Sequence, residues 1–90
     1  MYKIAASTRF KRDLRIAIKR GYNIALLEVV VTTLAAGDTL DERYLDHPLR
    51  GDYQGCRECH ITPDWLLVYE IENDELILHL TRTGTHSDLF

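Results

Sequence analysis

Proline occurs only twice and glycine five times in this 90-residue chain, so neither a proline-rich spacer nor a glycine-rich linker divides it. No apolar run is long. Ile24–Leu27 and Val29–Val31 are separated by Glu28, and the stretch falls far short of the ~20 residues that cross a bilayer. No membrane span or membrane partner is expected. Two cysteines are too few for a disulfide scaffold. The amino terminus, MYKIAASTRFKRD, meets a basic cluster where a secretory signal needs its apolar stretch, so a cytoplasmic chain with reduced thiols is expected. The composition that remains, 46% hydrophobic and 28% charged, can bury a core. Two cores in so short a chain would each fall below the size that folds unaided, so residues 1–90 are expected to form one domain.

A net charge of -3 conceals an asymmetry. Residues 1–20 carry seven basic side chains against Asp13 alone, whereas residues 51–90 carry only Arg57 and Arg82 against eight acids. A basic helix with Arg12 and Arg15 on its outer face suits an acidic partner or RNA phosphates, although charge clusters are commonly plain solvated surface.

Periodicity predicts a mixed α+β chain. Tyr2–Ala6, followed by Ser7 and Thr8, reads as a first strand ending at a helix N-cap. Phe10, Leu14, Ala17 and Ile18 then recur at helical spacing, Gly21 stops the helix, and Tyr22–Leu34 continues as a second, more apolar one. The two are expected to form an antiparallel helical hairpin. Residues 37–55 read as a loop with one extended piece near Tyr44–Leu49. Arg57–Thr62, Trp65–Ile71 and Leu76–Thr83 are predicted antiparallel strands joined at Pro63-Asp64 and Asn73-Asp74. If Asn73 and Asp74 form a two-residue turn, Ile71 pairs with Leu76, Tyr69 with Leu78, Leu67 with Leu80 and Trp65 with Arg82. All eight would share one face, with His79 on the other. His86–Phe90 can form a terminal helical turn that stacks its ends at i, i+4.

His47, His60 and His86 stand at turns or strand ends. Cleaving RNA through its 2'-hydroxyl needs a base for that hydroxyl, an acid for the departing 5'-oxygen and positive charge at the phosphate. Imidazoles and a guanidinium supply all three without metal. Singly, such histidines are more often surface or packing residues. Cys56-Arg57-Glu58-Cys59-His60 matches the CxxCH pattern of haem attachment, but an extended backbone puts Cys56 and Cys59 on opposite faces. Zinc would lack a second ligand pair. No cofactor or metal is expected.

The stretch DHPLRGDYQGCRECHITPDWLLVYEI, followed by LTRTGTHSDLF, resembles the YafQ-type branch of the RelE-like (RelE/ParE) bacterial toxins. DHPL, HxxPDW and RxGxHxxLF occur in the family's order. The resemblance covers essentially the whole chain and implies a compact RelE-like α+β fold: an N-terminal strand and helical hairpin on a mainly antiparallel sheet, with a short C-terminal helical turn. It also implies a toxin of a type II toxin–antitoxin system that cleaves mRNA on the ribosome, and the histidine and arginine chemistry predicts that it does so without metal. A cognate antitoxin would restrain it, and DNA would be met only through the toxin–antitoxin complex. The matching positions are His47, His60, Asp64, Arg82, His86 and Phe90. His60 and His86 lead as proton carriers, with His47 a third. Asp64 would orient or charge-stabilise a histidine or itself take a proton, Arg82 would bind the scissile phosphate, and Phe90 would stack on a base. Trp65 matches the motif as a packing residue. The pI near 5.7 departs from the basic character common in this group. A different expectation for the same fold is a non-catalytic module acting only through antitoxin or ribosome binding.

Overall fold

The computed structural model describes all of residues 1–90. Strand β1 (Lys3–Ala6) leads into helix α1 (Thr8–Lys19), and helix α2 (Ile24–Ala35) follows a short turn. A long connection contains one-turn 3-10 helices at Glu42–Tyr44 and Gly51–Tyr53 and, between them, the two-residue strand β2 (His47–Pro48). Strands β3 (Arg57–Thr62), β4 (Trp65–Glu72) and β5 (Ile77–Gly84) and a terminal helix α3 (His86–Leu89) complete the chain. The strand order is β1-β5-β4-β3-β2, antiparallel except for the parallel β1–β5 pair. No helix is long and apolar enough to cross a membrane.

Ser7 caps α1 by accepting from the Phe10 N–H at 3.0 Å, and Gly21 ends that helix region at φ 79°, a value that glycine adopts without a Cβ clash. The second helix starts later than its periodicity predicts. Asn23 is the N-cap, its Oδ1 accepting from the Ala25 N–H at 3.1 Å, and Tyr22 stays outside the helix to pack on Trp65 with ring centroids 5.0 Å apart. One face of the sheet buries Trp65, Leu67, Tyr69, Leu78 and Leu80 against Phe10, Ala17, Leu27, Val30 and Leu34 of the helices. A smaller cluster, Leu66, Val68 and Leu89, fills the other face and anchors α3 there.

The β4–β5 register corrects the predicted one. The loop has four residues, Asn73 to Leu76, so Glu72 faces Ile77 and Ile71 faces Leu78. Leu76 closes the loop in the left-handed region at φ 56°. That two-residue shift leaves Leu78 and Leu80 on the core face. A bulge then places Leu80 opposite Tyr69 but Arg82 opposite Val68. The extra residue, Thr81, reverses side-chain parity beyond it. Arg82 therefore does not face Trp65, and it shares the outer face with His79, which is opposite Glu70. Thr83 takes the core position instead: Trp65 Nε1 donates to Thr83 Oγ1 at 2.8 Å, and that hydroxyl donates to the Leu66 carbonyl at 2.7 Å. Trp65 is 3% exposed, which agrees with its predicted packing role.

Candidate active site

The central wall of the site follows from strand alternation. In β3, Cys59 and Ile61 point into the core, so Glu58 and His60 share the opposite face. Strand β2 pairs His47 directly with Glu58. Glu58 is thus a buried carboxylate, 6% exposed, between two imidazoles: its Oε1 lies 3.6 Å from His47 Nε2 and 3.7 Å from His60 Nε2. The two rings are 6.5 Å apart, centroid to centroid. Their other nitrogens face backbone carbonyls. His47 Nδ1–H donates to the Leu45 oxygen at 2.7 Å, which leaves Nε2 as the lone-pair nitrogen of the neutral ring. His60 Nδ1 lies 3.4 Å from the Pro63 oxygen.

The segment carrying His47 is tied to the sheet through its neighbour. Asp46 accepts from Arg57 Nε at 3.1 Å and from the Tyr69 hydroxyl at 2.8 Å. Burial, together with the bond to Asp46, pushes the Tyr69 phenol well above its ordinary range.

The second wall is α3. Thr85 caps it, and Thr85 and Asp88 form a reciprocal capping box. Arg20 Nη1 reaches from the end of α1 to Asp88 Oδ2 at 2.6 Å. This bond holds the Asp88 carboxyl well below the usual carboxylate range. Gly84 makes the approach possible, since a Cβ there would lie 3.0 Å from the Asp88 side chain. The helical turn stacks His86 on Phe90 at 5.1 Å, as its i, i+4 spacing predicts, and Tyr53 meets Phe90 edge-on at 5.5 Å. Phe90 remains 55% exposed, so a face is open for stacking.

Between the walls lies an open cleft of about 640 Å³ whose lining includes Glu58, His60, Asp64, Thr85 and His86. Of the residues marked out in sequence, the cleft brings together His60, Asp64 and His86. His47 stands behind Glu58 on the same wall, and Phe90 flanks His86. Asp64 is exposed at the turn between β3 and β4.

Arg82 is placed differently. Its Nε and Nη2 engage Asp13 side-on at 2.6 and 3.1 Å, and Nη1 lies 3.5 Å from the Tyr53 hydroxyl. The bond to Asp13, more than any other contact, raises the guanidinium pKa. Arg82 lines a separate cavity of about 150 Å³ beside Asp13, Arg20 and Asp88. Tyr53, which also touches Phe90, bridges it to the cleft.

Three contributors escape sequence reading: Glu58, Asp13 and Tyr53. Glu58 alone had a signal, its i, i+2 spacing from His60 in an extended segment. Cys59 packs in the main core and Cys56 against the smaller cluster on the other face, so the CxxCH thiols lie on opposite faces as alternation predicts. No group of three or more His, Cys, Asp or Glu side chains is spaced to hold a metal ion.

Comparison with known proteins gives a consistent picture. Residues 2–90 match the family model described as the bacterial toxin of type II toxin–antitoxin systems, YafQ. The mRNA interferase toxin YafQ of Escherichia coli K12 is 36% identical over 88 residues, 97% of this chain and 94% of that one. A metal-bound toxin from Helicobacter pylori superposes with a TM-score of 0.94 at 47% identity, with both chains fully covered. YafQ in the E. coli DinJ–YafQ toxin–antitoxin complex superposes at 0.88 with 36% identity, covering 99% of this chain and 97% of that one.

Proposed function

Because the chain belongs to the YafQ family of bacterial toxins of type II toxin–antitoxin systems, we propose that it is a metal-independent endoribonuclease that cuts mRNA on the ribosome and is silenced by a cognate antitoxin. The observation that carries this reading is the convergence of His47, Glu58 and His60 on one wall of a cleft whose other wall presents His86.

In the proposed reaction the RNA supplies its own nucleophile. One histidine removes the proton of a 2'-hydroxyl, whose oxygen bonds to the adjacent phosphorus. The bond to the 5'-oxygen breaks, and a second histidine gives that oxygen a proton. The products are a 2',3'-cyclic phosphate and a 5'-hydroxyl, with no net consumption of protons. His60 and His86, on facing walls, are the proton carriers, and His47 is the third candidate. Glu58 accepts from the Nε2–H of either imidazole neighbour once that ring is protonated, and so balances the charge a proton transfer leaves on it. Asp64, exposed at the cleft rim, orients or charge-stabilises a histidine or itself takes a proton. Arg82, fixed by Asp13 through Nε and Nη2, serves the phosphate through Nη1, with the long contact to the Tyr53 hydroxyl giving way to the substrate. Phe90 stacks on a base and keeps the strand splayed.

The ribosome enters because the cleft is wide and open. In-line geometry for the attacking oxygen has to come from a strand held elsewhere, and the basic outer face of α1 offers a grip on ribosomal RNA. A cytoplasmic location follows from the substrate, and contact with DNA would arise only through the toxin–antitoxin complex.

The test is to map new mRNA ends after incubating purified protein with programmed ribosomes, in parallel with naked mRNA. Ribosome-dependent ends bearing cyclic phosphates are expected, unchanged when the protein is stripped with EDTA before it is added. Equal cutting of naked and ribosome-bound mRNA, or activity lost on stripping and restored by a metal ion, would overturn the corresponding part of the proposal.

A further inference from the structure

A second cleft meets the first at His60. It has a volume of about 580 Å³, and its lining includes Leu26, Arg43, Tyr44, Leu45, His60 and Pro63. We propose that it is a nucleobase subsite, receiving the base of the nucleotide that flanks the scissile phosphate on the side away from Phe90. This inference rests on the nuclease reading and adds a specificity site to it.

The lining suits a flat ring that carries hydrogen-bond acceptors. The Arg43 guanidinium lies over the Tyr44 ring, 4.9 Å from its centroid, and Nη2 donates to the Tyr44 hydroxyl at 3.0 Å. A guanidinium held in this way offers a planar stacking surface and unused N–H donors at its edge. Leu26 and Pro63 supply apolar contacts. The turn that carries the pair is fixed in its backbone: Asp41 Oδ1 accepts from the Arg43 backbone N–H at 2.9 Å, and Leu45 closes the turn in the left-handed region at φ 51°.

The link to the reaction centre is direct. Leu45 and Pro63, both in the lining, present their carbonyl oxygens to the Nδ1 atoms of His47 and His60. A base seated here touches the two segments that orient both histidines. His60 belongs to both clefts, so a strand whose phosphate lies at His60 has one neighbour directed toward Phe90 and the other toward Arg43. That continuity favours RNA over an apolar side chain of a protein partner as occupant.

The experiment is a heteronuclear NMR titration of the full chain with trinucleotides made uncleavable by 2'-O-methylation, joined to cleavage assays on programmed ribosomes. The amides of Leu26, Tyr44 and Thr62 are expected to shift, and Arg43→Ala to raise the Kd at least fivefold. Leu26→Arg, at a position 42% exposed, fills the cleft without entering the core and should act alike. On ribosomes both variants should raise KM and flatten the preference for the flanking base. Shifts confined to His86 and Phe90, or shifts at Tyr44 and Leu26 seen only with antitoxin, would overturn the subsite. So would cleavage with an unchanged base preference in Arg43→Ala, and that result leaves the nuclease reading intact. Trinucleotide bound at Tyr44 by a wild-type chain that never cleaves would sink the nuclease reading and leave the nucleobase site standing.

Discussion

Asp88 joins the end of α1 to the start of α3: its Oδ2 accepts from Arg20 Nη1 at 2.6 Å and from the Thr85 N–H at 2.9 Å. A four-residue helix has no stability of its own. The position of His86 and Phe90 therefore depends on this latch and on the burial of Leu89. Arg20→Ala should leave the core folded and lower the melting temperature only modestly at neutral pH, while lowering cleavage by on the order of 10- to 100-fold, the scale of a small misplacement of a reacting group. Arg20→Lys should restore part of the rate. A melting curve and a single-turnover rate for each variant check this, and an unchanged rate in Arg20→Ala removes the latch from the account.

The same carboxyl sets an acid dependence. Asp88 titrates lower in the folded chain than in the unfolded one, chiefly because of Arg20. Its stabilising contribution is therefore complete above the unfolded value near about 4. It is lost as the pH falls from there through the depressed folded value. Arg20→Ala should narrow the stability difference between pH 6 and pH 3, measured by urea unfolding. An identical difference in wild type and variant contradicts the coupling.

Arg82 and Asp13 form the most sequestered ion pair in the molecule, with side chains 12% and 11% exposed. Asp13 also accepts from the Thr83 N–H at 3.1 Å. Removing one partner strands the other, so Arg82→Ala is expected to lower stability by on the order of 1–3 kcal/mol as well as to slow cleavage. Asp13→Asn, which keeps an acceptor, should lose less stability. It should also retain more activity, because Arg82 stays in place. Equal melting temperatures for wild type and Arg82→Ala would show that the pair does not hold β5 to α1.

The strands, the helices and the terminal turn were legible because each rests on local periodicity or a cap: Ser7, Gly21 and the alternation of Arg57–Thr62. The register of β4 and β5 was not. Asn73-Asp74 looks like a complete turn, yet the loop runs on to Leu76, and nothing local marks the bulge at Thr81. One extra residue moved Arg82 from the side of Trp65 to that of Tyr53. The Arg82–Asp13 pair spans 69 positions and leaves no trace in spacing. Glu58 was visible as the residue two before His60, but its burial depends on β2, whose His47 pairs with it from eleven residues upstream, in a loop without periodicity. His47, His60 and His86 were marked by turns and strand ends, and the fold brings their walls together.

The cysteines offer a check on the fold that is independent of RNA. Cys59 is fully buried, and burial pushes its thiol up to about 12. Cys56 is half-buried, with its thiol raised mainly for the same reason. A thiolate-selective reagent at pH 8 should therefore label Cys56 slowly and Cys59 only after unfolding. Mass spectrometry of peptides from the native labelled chain reads this out. Equal labelling of both contradicts the packing of β3.

The central claim is that histidines on facing walls transfer the protons. The most direct measurement is the single-turnover cleavage rate of ribosome-bound mRNA by wild type, His60→Ala, His86→Ala and the double variant, each first shown to melt like wild type. Each single variant is expected to lose at least ~100-fold, the lower end of the range for a lost general acid or base. The double variant should lose little more than the worse single one, because either deletion already breaks the coupled transfer. A folded double variant that cuts at the wild-type rate would contradict the account.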